Sequence, residues 1–162
     1  MGKRKIFGIL VRGLAVVSTI AAAILMATAH ERIYTYNSSY QIEYTDFPLF
    51  KYFVIVNACA SVYGFLVLFL PSRSLLWNLV VALDLIITLL LTSGVAGAAA
   101  IVYIGKKGNP RTTWLPICGV ASVFCNRLIA ALATGTVGIL FYLISLFNCL
   151  QNALDPLLLH ET

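Results

Sequence analysis

Four stretches of this chain are apolar for long enough to cross a bilayer, and few folds are open to a chain so built. They are residues 6–29, 52–70, 75–104 and 128–150. As a helix, about 20 apolar residues span the roughly 30 Å hydrocarbon core. In lipid the backbone must hydrogen-bond to itself, which leaves only helices and closed barrels. The runs are continuous, without the alternation of polar and apolar positions that a barrel strand needs. The third run is overlong, so it tilts or extends past the bilayer. Pro48, Pro71, Pro110, Pro116 and Pro156 all fall outside the runs, as unbroken helices require. The sequence predicts an all-α membrane protein, with residues 1–162 forming one four-helix transmembrane domain.

Composition points the same way. The chain is 60% hydrophobic and 10% charged, against about 45–50% and 25% for soluble domains. A net charge of +5 raises the question of a nucleic-acid partner. The eleven Lys and Arg are scattered among the termini and short loops, however, and build no basic face. They read as flanking anchors, and the bilayer is the partner they imply.

Lys3, Arg4 and Lys5 precede the first run and favour a cytoplasmic N-terminus. Four spans then return the C-terminus to the cytoplasm. Lys3, Arg4, Lys5, Arg12 and Arg73 lie on that side, and Arg32, Lys51, Lys106, Lys107, Arg111 and Arg127 on the other, one residue against the assignment. Two features outweigh the excess. The sequon Asn37-Ser38-Ser39 falls in the first outer loop, making Asn37 the candidate glycosylation site. Cys118 and Cys125 share the second outer loop, where an oxidising exterior permits a disulfide, with two reduced thiols as the alternative. The N-terminal run and Ala27-Thr28-Ala29 also have the outline of a cleaved signal peptide, but Arg12 interrupts its apolar region. A myristoylation signal fails because Ile6 stands where Ser or Thr is needed.

The segment "LVVALDLIITLLL" (79–91) sets Asp84 among leucines, isoleucines and valines. A charge in a span costs about 2.5–3.5 kcal/mol on insertion scales, so a partner is expected. Helices one and three run in the same direction, and Arg12 and Asp84 sit at similar depths. An ion pair between neighbouring helices follows. Two other arrangements satisfy the same residues: Arg12 reaching the inner headgroups, and a protonated Asp84 bonded to a threonine. Pairing the two aligns Ala15, Thr19, Ala23 and Ala27 with Thr88, Thr92, Ala96 and Ala100, small face against small face. Similar small pairs recur at Ala60 and Gly64 and at Ala131 and Gly135.

With Arg12 in the first span and Asp84 in the third, the chain resembles the plant Casparian strip membrane domain protein-like (CASP-like) family, related in architecture to MARVEL-domain proteins. "FKYFVIVNACASVYGFL" (50–66), "LLLTSGVAGAAAIVYIGKKGN" (89–109) and "WLPICGVASVFC" (114–125) look like its subfamily 1, with Trp114, Cys118 and Cys125 in place. The resemblance implies a multi-pass plasma-membrane protein that forms homo- and hetero-oligomers with related CASP-like proteins. It further implies a membrane-domain scaffold for cell-wall modifying enzymes. Strip-forming members carry a first-loop signature of acidic-Ser-Leu-Pro-Phe-Phe type. Here "YTDFPLFKYF" (44–53) keeps only its Pro-Phe character.

Catalytic signals are absent, and no cofactor is implied. His30 and His160 lie at a span end and in the tail, so no histidine cluster serves metal or acid–base chemistry. Six residues separate Cys118 from Cys125, unlike a redox CxxC motif. Cys59 reads as helix packing and Cys149 as a palmitoylation candidate. Trp114, Tyr103 and Tyr52 read as interface anchors. The Cys-Cys-Gly loop of tetraspanins and the first-loop cysteine pair of claudins are both missing. The competing function is a small-solute or ion transporter using Asp84. Transporters favour broken helices and internal repeats, whereas only Ser93-Gly94 and Gly97 hint at a break.

Overall fold

The computed structural model describes residues 2–35, 38–69, 77–108 and 116–158. Its helices are α1 (Gly2–Ala27), α2 (Pro48–Leu68), α3 (Trp77–Lys107) and α4 (Ser122–Leu158). Each is long and apolar enough to cross a membrane, over Ile6–Ala27, Pro48–Leu68, Leu79–Lys107 and Ser122–Gln151. Short 3-10 turns occupy Tyr44–Asp46 and Ile117–Gly119.

Local chemistry moves the helix ends away from the ends of the apolar runs. Helix α2 starts at Pro48, where the missing N–H takes nothing from the ladder and the ring presets φ. Phe47 before it is extended, at φ −115° and ψ 115°, as a residue preceding proline prefers. Helix α3 stops at Gly108, whose φ of 69° is open to glycine and whose N–H reaches the Ile104 carbonyl at 2.7 Å. Lys106 and Lys107 in that last turn meet the negative end of the helix dipole. Helix α4 begins at Ser122 and not at residue 128, which draws Cys125 into its first turn.

The first loop is folded. Strands β1 (His30–Thr35) and β2 (Ser38–Glu43) pair antiparallel, with Thr35 opposite Ser38 and His30 opposite Glu43. Ala29 and Ile42 carry this hairpin into the core, beside Phe50, Phe53, Phe124 and Leu128. Two-stranded hairpins are marginal alone, so docking on the bundle end supplies its support.

Helix α1 packs against α2 and α4, and α3 packs against the same two. Helices α1 and α3 therefore face each other across the diagonal of the bundle. This corrects the expected contact between neighbouring helices one and three. The small-residue alignment fails with it: Thr92, Ala96, Ala100 and Ala27 are exposed and Ala23 is half-buried. A strict four-residue step rotates about 40° off a face at each repeat. The buried stripes instead mix steps of three and four, through Arg12, Ala15, Thr19, Ala22 and Met26, and through Val80, Asp84, Thr88, Leu91 and Ala98.

Candidate functional site

A partly buried hydroxyl meets a buried guanidinium and a buried carboxylate between the helices. Asp84 is 0% exposed and Arg12 5%. Arg12 Nη2 donates to Asp84 Oδ2 across the diagonal. Tyr63 of α2 occupies the second carboxylate oxygen, its hydroxyl lying 2.8 Å from Asp84 Oδ1. The same hydroxyl is 3.0 Å from the Val80 carbonyl. The Arg12 guanidinium sits 5.9 Å from the centre of the Tyr63 ring, at the outer reach of a cation–π contact. Charge-assisted bonds of this kind gain strength away from water.

A second tyrosine ties in the fourth helix. Tyr142 of α4 is wholly buried, and its hydroxyl donates to the Ala60 carbonyl of α2 at 2.6 Å. Gly64 makes room for it. A Cβ there would fall 2.5 Å from the Tyr142 hydroxyl and 2.6 Å from Val16 Cγ2. Gly135 likewise receives the Phe53 ring, 3.1 Å from where its Cβ would stand. The two small-residue pairs thus serve as sockets for aromatic side chains.

Thr88, a candidate partner for the Asp84 carboxyl, donates instead to the Asp84 backbone carbonyl at 2.7 Å. Thr19, Thr92 and Ser93 also bond to preceding carbonyls of their own helices, a way to satisfy hydroxyls where no water competes. Asn57 Oδ1 and Arg12 Nε are buried without a hydrogen-bond partner among the described residues, and nothing in the packing there explains Asn57.

The other residues singled out in the sequence divide clearly. The sulfurs of Cys118 and Cys125 lie at disulfide distance, with Cα atoms 5.6 Å apart. Cys149 is buried and Cys59 exposed. Cys149, sealed inside the bundle, has no room for an acyl chain, and Cys59 faces outward and not into the packing. Tyr103 is exposed with Lys107 over its ring at 5.1 Å, and the Tyr52 hydroxyl meets Ser93 Oγ at 2.9 Å. Asn37, Trp114 and His160 lie outside the described residues. Sequence reasoning misses Tyr63 and Tyr142, although a signal exists. Tyrosines away from span ends cannot anchor at the interface, so their hydroxyls need partners inside.

Residues 1–141 match the Casparian strip membrane protein domain. The chain is 47% identical over 158 residues to CASP-like protein 1C2 of Populus trichocarpa, covering 98% of each. It is 46% identical over 159 residues to CASP-like protein 1C1 of Arabidopsis thaliana, covering 98% of this chain and 97% of the relative. With CASP-like protein 1C2 of Vitis vinifera it shares 47% over 138 residues, covering 85% and 86%. No solved structure matches.

Proposed function

The chain belongs to the Casparian strip membrane protein domain family, and on that premise we propose that it is a plasma-membrane scaffold, self-assembling and assembling with related CASP-like chains. Cell-wall modifying enzymes are the machinery such a scaffold would organise. The reading treats residues 1–162 as one domain with both termini cytoplasmic and the hairpin end outside. It gives the Arg12–Asp84 pair an architectural role, with the charge held for the bundle's own use.

The observation that carries it is the occupation of the Asp84 carboxylate. One oxygen is taken by Arg12 and the other by Tyr63, both from the same chain. An ion path needs an acid free to exchange partners, and this one is committed. The outward faces, in contrast, present Leu14, Val17, Leu85, Leu89, Val137 and Phe147, which suit lipid or further helices. The full chain, extracted into lipid nanodiscs without detergent and cross-linked, is expected to run as species larger than one chain. A strictly monomeric product, or ion flux into liposomes that Asp84→Leu abolishes, would overturn the scaffold reading in favour of transport.

The orientation has its own test. Asn37→Gln is expected to raise gel mobility as much as enzymatic deglycosylation of the unaltered protein does. Glycan on a sequon engineered into the 71–74 segment would place the hairpin end inside.

A further inference from the structure

The start of α4, residues 122–127, carries three attachments that none of the features above requires. Ala121 is its N-cap, because the Ala121 carbonyl accepts the Cys125 N–H at 3.2 Å. Alanine has no side-chain oxygen to cap the free N–H groups that open a helix. The hairpin supplies one: Glu31 Oε2 accepts the Phe124 N–H at 2.8 Å. Three residues on, Arg127 Nη1 donates to the Thr28 carbonyl beyond the end of α1 at 2.6 Å. The signs fit the helix dipoles, with an anion at the start of α4 and a cation at the end of α1. Between these bonds, Cys125 is bridged to Cys118 in the Ile117–Gly119 turn.

We propose that the first turn of α4 is a hub joining the β1–β2 hairpin and the 116–121 segment into one unit, with Cys118–Cys125 as its thiol-sensitive latch. Cys118 is partly exposed whereas Cys125 is 6% exposed, so Cys118 Sγ is the sulfur that an external thiolate reaches. Attack by one thiolate of a dithiol forms a mixed disulfide on Cys118 and releases Cys125 as a thiolate, which takes up a proton. The second thiol of the reagent then displaces Cys118 and closes a cyclic disulfide. Two electrons pass to the protein, and two protons end on the cysteines. Helix ends fray unless capped or tethered. With the bridge open, the described bonds on the loop side of the turn are backbone ones, from the Val120 and Ala121 N–H groups to the Ile117 carbonyl. The Phe124 N–H then no longer holds a fixed position for Glu31, and the hairpin loses its dock.

The full chain in lipid nanodiscs, with the bridge verified by thiol counting, is compared before and after dithiothreitol by hydrogen exchange. Reducing the folded protein avoids any failure of cysteine variants to fold. The paired amides of residues 30–43 are expected to exchange about tenfold faster once the bridge is open. Glu31→Ala is expected to accelerate the same amides with the bridge intact. If reduction speeds only residues 116–125, or if Glu31→Ala leaves the hairpin unchanged, the hub is refuted.

Discussion

Asp84→Leu alone is expected to cut the yield of folded protein at the membrane sharply, and Arg12→Leu to do the same. Each leaves the opposite charge buried without its partner, at about 3–5 kcal/mol. Changing both together is expected to recover much of that loss, because a matched apolar pair is tolerated where a broken ion pair is not. Tyr63 favours the recovery. Its hydroxyl already lies 3.0 Å from the Val80 carbonyl, so removing the carboxylate does not strand it. Folded fraction by size-exclusion chromatography of the four proteins gives the answer. A double variant no better than the worse single variant would show that the two charges act independently.

Gly64→Ala is expected to damage the bundle nearly as much by a different route. The added carbon meets the Tyr142 hydroxyl at 2.5 Å and Val16 at 2.6 Å, and both contacts lie where helices α1, α2 and α4 converge. Overpacking of a filled core costs about 1–3 kcal/mol. Displacing Tyr142 would also break its bond to the Ala60 carbonyl, worth about 1 kcal/mol more. Thermal unfolding in lipid nanodiscs is expected to show a lowered midpoint, partly restored when Val16→Ala and Tyr142→Phe are added. Full tolerance of Gly64→Ala alone would mean that α2 and α4 shift apart freely. The close approach would then hold nothing in place.

The four helices were legible because a run of apolar residues is decisive on its own. Their ends were not, since α4 opens with a cap that Glu31 lends to the Phe124 N–H from 93 positions away. The hairpin has a readable signal, though a quieter one: Ile33, Tyr34 and Thr35 favour strand, and Asn37 follows as a turn former. Arg12 and Asp84 stood out as charges inside apolar runs, and the structure brings them together. Their diagonal placement was hidden, because helix order around a bundle depends on which side chains find sockets. Gly64 and Tyr142 form one such socket, and nothing in the spacing of either residue announces the other.

The diagonal also fixes a sequence of events during synthesis. Arg12 precedes its partner by 72 residues, and at about 5–20 residues per second Asp84 emerges some 4–14 s later. Helices α1 and α2 can pair in that interval, but the Arg12 charge has no carboxylate to meet until the third span leaves the ribosome. Arg12 stands early in α1, close enough to the membrane surface for its head to wait among lipid phosphates. The nascent chain therefore carries one unfinished contact through two insertions, and the arrival of α3 closes it.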